Sequence, residues 1–180
     1  MTSLSKTAAV AAGTLLAVAA AAAGTAPPAG IPEPLAGYRE WEQLLKEPLQ
    51  VPYELAVLCR APTPRMKAEA KKRHGPHNDY LIEVYANPAA QAALQDGQAP
   101  ATLPAGSVIA KEKLRYVKPG TIEVDGVAFM VKHDGAAFRE SGGWEFTFYP
   151  KGNARLTQQA CARCHQSAPR DFVFGNYLNP

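Results

Sequence analysis

A chain of 180 residues, 47% hydrophobic and 19% charged, suits one domain with mass enough for a real core and excludes a disordered chain. Its formal charge of +3 is too small and too scattered for a nucleic-acid-binding surface. The one dense basic run, "KAEAKKRHG", reads as the solvated face of a helix.

In chain order, a single positive residue, Lys6, precedes an uncharged apolar run from Ala8 to Ala23. That run is shorter than the ~20 residues of a membrane span, and Ala21 and Ala23 form a small-x-small cleavage pattern. Residues 1–23 therefore read as a signal peptide cut before Gly24, which predicts export to a bacterial periplasm and no membrane attachment after cleavage. No cysteine follows the apolar run closely, which argues against a lipid anchor. Residues 24–37, with four prolines, read as an extended leader into a domain spanning 38–180.

Within that domain, "GYREWEQLLKEP" predicts an amphipathic helix, with Tyr38, Trp41, Leu44 and Leu45 at helical spacing and Pro48 as its stop. "TPRMKAEAKKRHG" predicts a second helix opened by Thr63 and Pro64. The rhythm then changes. "DYLIEVYAN" alternates as a strand with Tyr80, Ile82 and Val84 on one face, and "NPAAQAALQDG" is a short helix capped by Asn87. "GSVIAKEKLRYV", "TIEVDGVAFMVKH" and "GGWEFTFYP" are three more strands. In the last, Trp144, Phe146 and Phe148 share one face, and Glu145, Thr147 and Tyr149 the other. A final helix beginning near Asn153 carries "LTQQACARCH". The order predicts an α+β fold: a mostly antiparallel sheet with flanking helices, the last of them bearing the cysteines.

The chain has three cysteines, and Cys161, Cys164 and His165 sit together in "CARCHQSAPRDFVF". Zinc needs four ligands, commonly two C-x-x-C halves, and the remaining Cys59 lies alone in "ELAVLCRAP", where it reads as a buried small hydrophobe. A redox dithiol normally opens a helix inside a βαβ unit, whereas this motif follows a run of strands. C-x-x-C-H is the signature of c-type haem attachment, and composition alone would produce it ~0.0007 times in this chain. One helical turn separates two sulfurs that reach the vinyl groups on one porphyrin edge, and the next residue offers its imidazole to the iron. The motif predicts one covalent haem c, held by Cys161 and Cys164 with His165 as the metal ligand.

The sixth iron position decides between carrier and catalyst. Met66, Met130, His74, His77 and His133 are the possible distal ligands, but Met130 reads as strand core and the histidines as surface residues. Soluble carriers of this class are mostly helical with the motif near the start; here it ends a strand-rich domain.

"GPHNDYLIEVYANPAA", "GSVIAKEKL", "GGWEFTFY" and "CARCHQSAPRDFVF" together resemble successive blocks of the cytochrome P-460 family and its relative cytochrome c′-beta, over residues 38–175. The resemblance implies a homodimer, a five-coordinate iron and small nitrogen ligands: hydroxylamine oxidised, with electrons passed to a periplasmic acceptor, or nitric oxide bound. It also implies that Lys111, in "VIAKE", matches a lysine bonded covalently to the porphyrin rim; read from alternation alone, Lys111 is an exposed strand residue. Glu145 is the candidate proton acceptor for hydroxylamine oxidation, against a plain solvent-facing carboxylate. Phe129, Phe146 and Phe148 are candidate pocket walls, and Asp171 a candidate hydrogen-bond partner near His165.

Overall fold

The computed structural model describes residues 26–52, 63–74, 79–94, 102–118, 121–151 and 157–174. The predicted signal peptide, Cys59 and His77 lie outside the described residues. Alternating apolar residues from 79 onward give four long strands, β3 (Asp79–Ala86), β4 (Val108–Lys118), β5 (Thr121–Lys132) and β6 (Trp144–Pro150). They pair antiparallel in chain order. The short β1 (Glu42–Gln43) and β2 (Leu49–Pro52) both pair with the outer edge of β3, so the described sheet is mixed in strand length but antiparallel throughout. Helices α1 (Pro64–His74), α2 (Pro88–Leu94) and α3 (Gln158–His165) complete the α+β architecture that the sequence pattern predicts.

The predicted helix over 38–48 is absent. Residues Leu35–Glu40 form a 3-10 helix, and the chain then extends into β1. The reason lies in the two sides of the sheet. Tyr38 is buried on one side with Tyr85 and Phe129, whereas Leu45 is buried on the other with Ile82 and Trp144. One helix presents a single apolar stripe, so a segment that feeds both cores must run across the sheet edge instead.

The first of those cores joins Ile82, Val84, Ile109, Met130, Trp144 and Phe146 to α2 through Ala90 and Leu94, and to α3 through Ala162. Asn87 fixes the entry of α2 as the sequence predicts: its Oδ1 accepts from Ala90 N at 3.0 Å and from Val108 N at 2.9 Å. One residue thereby caps a helix and starts β4. Between Lys113 and Leu114 the β4–β5 register slips, leaving Asp125 as the extra residue of a bulge. At the neighbouring Gly126 a Cβ would stand 2.6 Å from Phe148 Cζ and 3.1 Å from Tyr149 O, so a larger residue there forces the Phe148 ring to move.

The second core stacks Tyr38 edge-on against Tyr85 and Phe129, each with ring centroids 5.5 Å away. Into this apolar layer β4 inserts Glu112, which is 0% exposed. Tyr38 Oη donates to its Oε1 at 2.9 Å, and the Arg39 guanidinium pairs with both carboxylate oxygens. Burial, reinforced by the Glu112 charge, pushes the Tyr38 hydroxyl well above its ordinary range, so it remains a donor. We predict that Glu112→Ala, which leaves Arg39 and Tyr38 without their shared acceptor, costs about 3 kcal/mol in urea unfolding. Glu112→Gln should cost less, because an acceptor oxygen survives.

Candidate functional site

The three motif residues belong to α3, whose docking starts from its first turn. The helix begins at Gln158, with Thr157 Oγ1 accepting from Ala160 N at 3.2 Å; the predicted start near Asn153 lies outside the described residues. Among the described residues β6 is the last strand of the sheet, and its outward backbone groups have no strand partner there. Gln158 supplies one. Its Oε1 accepts from Phe146 N at 2.5 Å and its Nε2 donates to Trp144 O at 2.9 Å, the pair of bonds a neighbouring strand would make.

One turn further, Cys161 and Cys164 are half-buried free thiols, and Cys161 packs against the first core. Burial pushes the Cys161 thiol up, Cys164 adds to that shift, and Lys113 opposes it. His165 closes the helix at 8% exposure. Its Nδ1 stands 2.6 Å from the Phe172 carbonyl, which can only accept, so Nδ1 carries the proton. Burial lowers its pKa to about 4, with the Phe172 carbonyl opposing that shift and Lys111 adding to it. At neutral pH the ring is therefore uncharged and Nε2 is the nitrogen left with a lone pair. Phe146 and Phe174 flank the ring, with centroids 4.7 and 5.3 Å away.

Strand register decides which sequence-predicted residues join this group. Ile109, Met130 and Phe146 form one row, and Lys111, Ala128 and Phe148 the next row of the same face, the face on which α3 packs. Lys111 thus shares the layer of His165, and Lys113, two residues on, lies 4.9 Å over the Phe148 ring. Glu145 does not share it. It stands in the row of Val108 and Val131, on the opposite face, and pairs with His133 Nε2 at 2.8 Å, both side chains about one-third exposed. Phe129 is likewise on the opposite face, in contact with Tyr38 and Tyr149, and is no wall of the α3 side. Asp171 bonds to Lys132 rather than to His165; the imidazole's partner is the next residue's carbonyl. Met130 is buried in the first core, and Met66 lies on α1.

Sequence reasoning missed Gln158, Lys132 and the Phe172 carbonyl. Lys132 left a signal, since β5 alternation sets it on the buried row beside Trp144, where a lysine requires a carboxylate. The other two left none, being a helix residue turned to a strand edge and a backbone atom.

Two unpaired thiols one turn apart, followed by a neutral imidazole with one nitrogen already tied and two aromatic rings packed near it, form a donor set that fits a porphyrin. Among the described residues no group of three or more His, Cys, Asp or Glu is placed to hold a bare metal ion. The sheet and its terminal helix thus define a haem protein of the c type. The chain belongs to the cytochrome P460 family, whose pattern matches residues 36–175. No curated protein matches it significantly. Among the described residues, no helix is long and apolar enough to cross a membrane.

We predict that Gln158→Leu destabilises the protein by about 1–3 kcal/mol, because Phe146 N–H loses its acceptor at a half-buried edge and Trp144 C=O keeps only the Ser141 hydroxyl. Thermal unfolding measures it, and Gln158→Glu should be at least as costly, since it sets a half-buried negative charge against the Trp144 carbonyl oxygen.

Proposed function

We propose that the protein is an exported periplasmic cytochrome with one haem c, attached through Cys161 and Cys164 with His165 on the iron, that oxidises hydroxylamine or binds nitric oxide. The observation that carries this reading is the state of His165: buried, uncharged and tied at Nδ1, with Nε2 available, within one turn of both thiols. A bound haem supplies one-electron redox chemistry and an axial position for a small ligand.

The chain's own residues have distinct tasks. Cys161 and Cys164 anchor, His165 ligates, and Phe146 and Phe174 pack against the imidazole and help keep water from it. Lys111, on the same face and close enough to disfavour protonation of His165, supports the family-implied bond to the porphyrin rim. Lys113 is engaged on Phe148 instead. The homodimer and a periplasmic electron acceptor belong to the same proposal. A second reading, nitric oxide binding without turnover, is favoured by the position of Glu145 on the opposite face, engaged with His133.

Protein made with cytochrome-maturation machinery should be coloured, keep its haem after unfolding, and show a high-spin ferric form that binds nitric oxide. A colourless product overturns the proposal, and a low-spin form with a methionine–iron charge-transfer band makes it a six-coordinate carrier. Haem retained in a Cys161→Ala, Cys164→Ala double variant and lost once Lys111→Ala is added establishes the third bond. Hydroxylamine oxidation with an artificial acceptor separates the two readings: turnover that survives Glu145→Ala removes that carboxylate from the mechanism, and absent turnover leaves the binding protein.

A further inference from the structure

We propose that Lys132 and Asp171 are positioning residues for the iron ligand: their buried ion pair holds the Phe172 carbonyl on His165 Nδ1 and so sets how strongly that imidazole donates to iron. The inference rests on the haem reading of the site.

Lys132 Nζ lies 2.7 Å from Asp171 Oδ1, and both side chains are 7% exposed. The same ammonium donates to Gly142 O at 2.6 Å and lies 5.1 Å from the Trp144 ring centre. The other carboxylate oxygen of Asp171 accepts from Leu103 N at 2.6 Å, and its main-chain oxygen accepts from Trp144 Nε1 at 2.8 Å. One residue is thus gripped by the loop before β4, the end of β5 and the start of β6.

What the grip holds is an unfavourable backbone. Asp171 and Phe172 have φ of 44° and 62°, two consecutive left-handed residues without a glycine. Such a pair persists only where its surroundings over-determine it, and the phenylalanine side chain has no polar group to compensate locally. Its ring rests on Gly142, where a Cβ would stand 2.7 Å from Phe172 Cε2. This conformation presents the Phe172 carbonyl to His165 Nδ1 at 2.6 Å. A carbonyl that accepts from Nδ1–H makes the ring a stronger donor at Nε2, which favours ferric over ferrous iron. With the pair removed, the dipeptide relaxes toward negative φ and the carbonyl leaves the nitrogen.

The test uses the haem-loaded protein and two charge-deleting variants, Asp171→Asn and Lys132→Met. Positioning predicts one sign for both: a lower histidine–iron stretching frequency in the ferrous form and a higher ferric/ferrous midpoint potential. A field effect of the charges alone predicts opposite signs, because one variant removes a negative and the other a positive group; that result overturns the inference. So does an unchanged stretching frequency in variants that melt at lower temperature, which marks a purely structural pair. Should neither variant retain haem, Gly142→Ala displaces the Phe172 ring while keeping both charged groups, and must shift both readouts the same way. Wild-type protein without a histidine–iron stretch overturns the haem reading itself; a normal wild-type stretch with unmoved variants overturns this inference alone.

Discussion

The hydrogen bond from His165 Nδ1 to the Phe172 carbonyl fixes three things at once. It chooses the tautomer, orients the ring, and returns the chain after α3 to the sheet. A buried imidazole needs a partner for its N–H, and here that partner is main chain rather than a carboxylate. The choice matters for charge. A carboxylate on Nδ1 would pull the ring toward a protonated state, whereas a neutral carbonyl inside an apolar layer leaves it uncharged. Cys161, one turn earlier, sits under the same regime, since burial also pushes its thiol pKa up. Burial against the apolar face that α3 covers thus favours the neutral form of both side chains, Cys161 and His165.

That face is set by strand alternation, and α3 is pinned to it at both ends. Gln158 completes the free edge of β6 at the N-terminal end, while His165 and the turn after it close the C-terminal end against Trp144. A helix of eight residues has little stability by itself. Its position comes instead from side-chain bonds to backbone, whose geometry tolerates little drift. The same alternation gives Lys111 and Glu145 opposite sides, although both come from strands of one sheet.

Much of this was legible in the sequence, and the exceptions have definite causes. Four strands and three helices follow from period-2 and helical spacing with Asn, Thr, Gly and Pro as punctuation, and the family resemblance is matched over residues 36–175. The segment 38–48 misled because helical spacing of Tyr38, Trp41, Leu44 and Leu45 is also what a chain crossing between two cores produces. Glu145 misled for a different reason. Alternation had already put it opposite Phe146, but nothing in a single strand says which face a later helix will cover. The Phe172 carbonyl left no trace, since backbone atoms carry no sequence signal and two left-handed residues are unexpected at Asp-Phe.

Two ion pairs with buried carboxylates among the described residues sharpen the division between stability and placement. Arg39–Glu112 and Lys132–Asp171 stand on opposite faces of the sheet, each in an apolar layer where hydrophobic residues of similar volume would often be as stable. Each also joins a segment outside the sheet to a strand within it: the 3-10 helix to β4 in one case, the loop after α3 to β5 in the other. An apolar replacement would fill the same space but would not choose among neighbouring ways of laying that segment down, because apolar contact is non-directional. The ionic pairs do choose, since their fixed donors and acceptors accept one arrangement. On the face that Tyr38 packs against, that choice fixes where the 3-10 helix lies on the sheet. On the other face it fixes a carbonyl beside His165, so the same device settles the entry of a chain segment on one side and the hydrogen bond of a buried imidazole on the other.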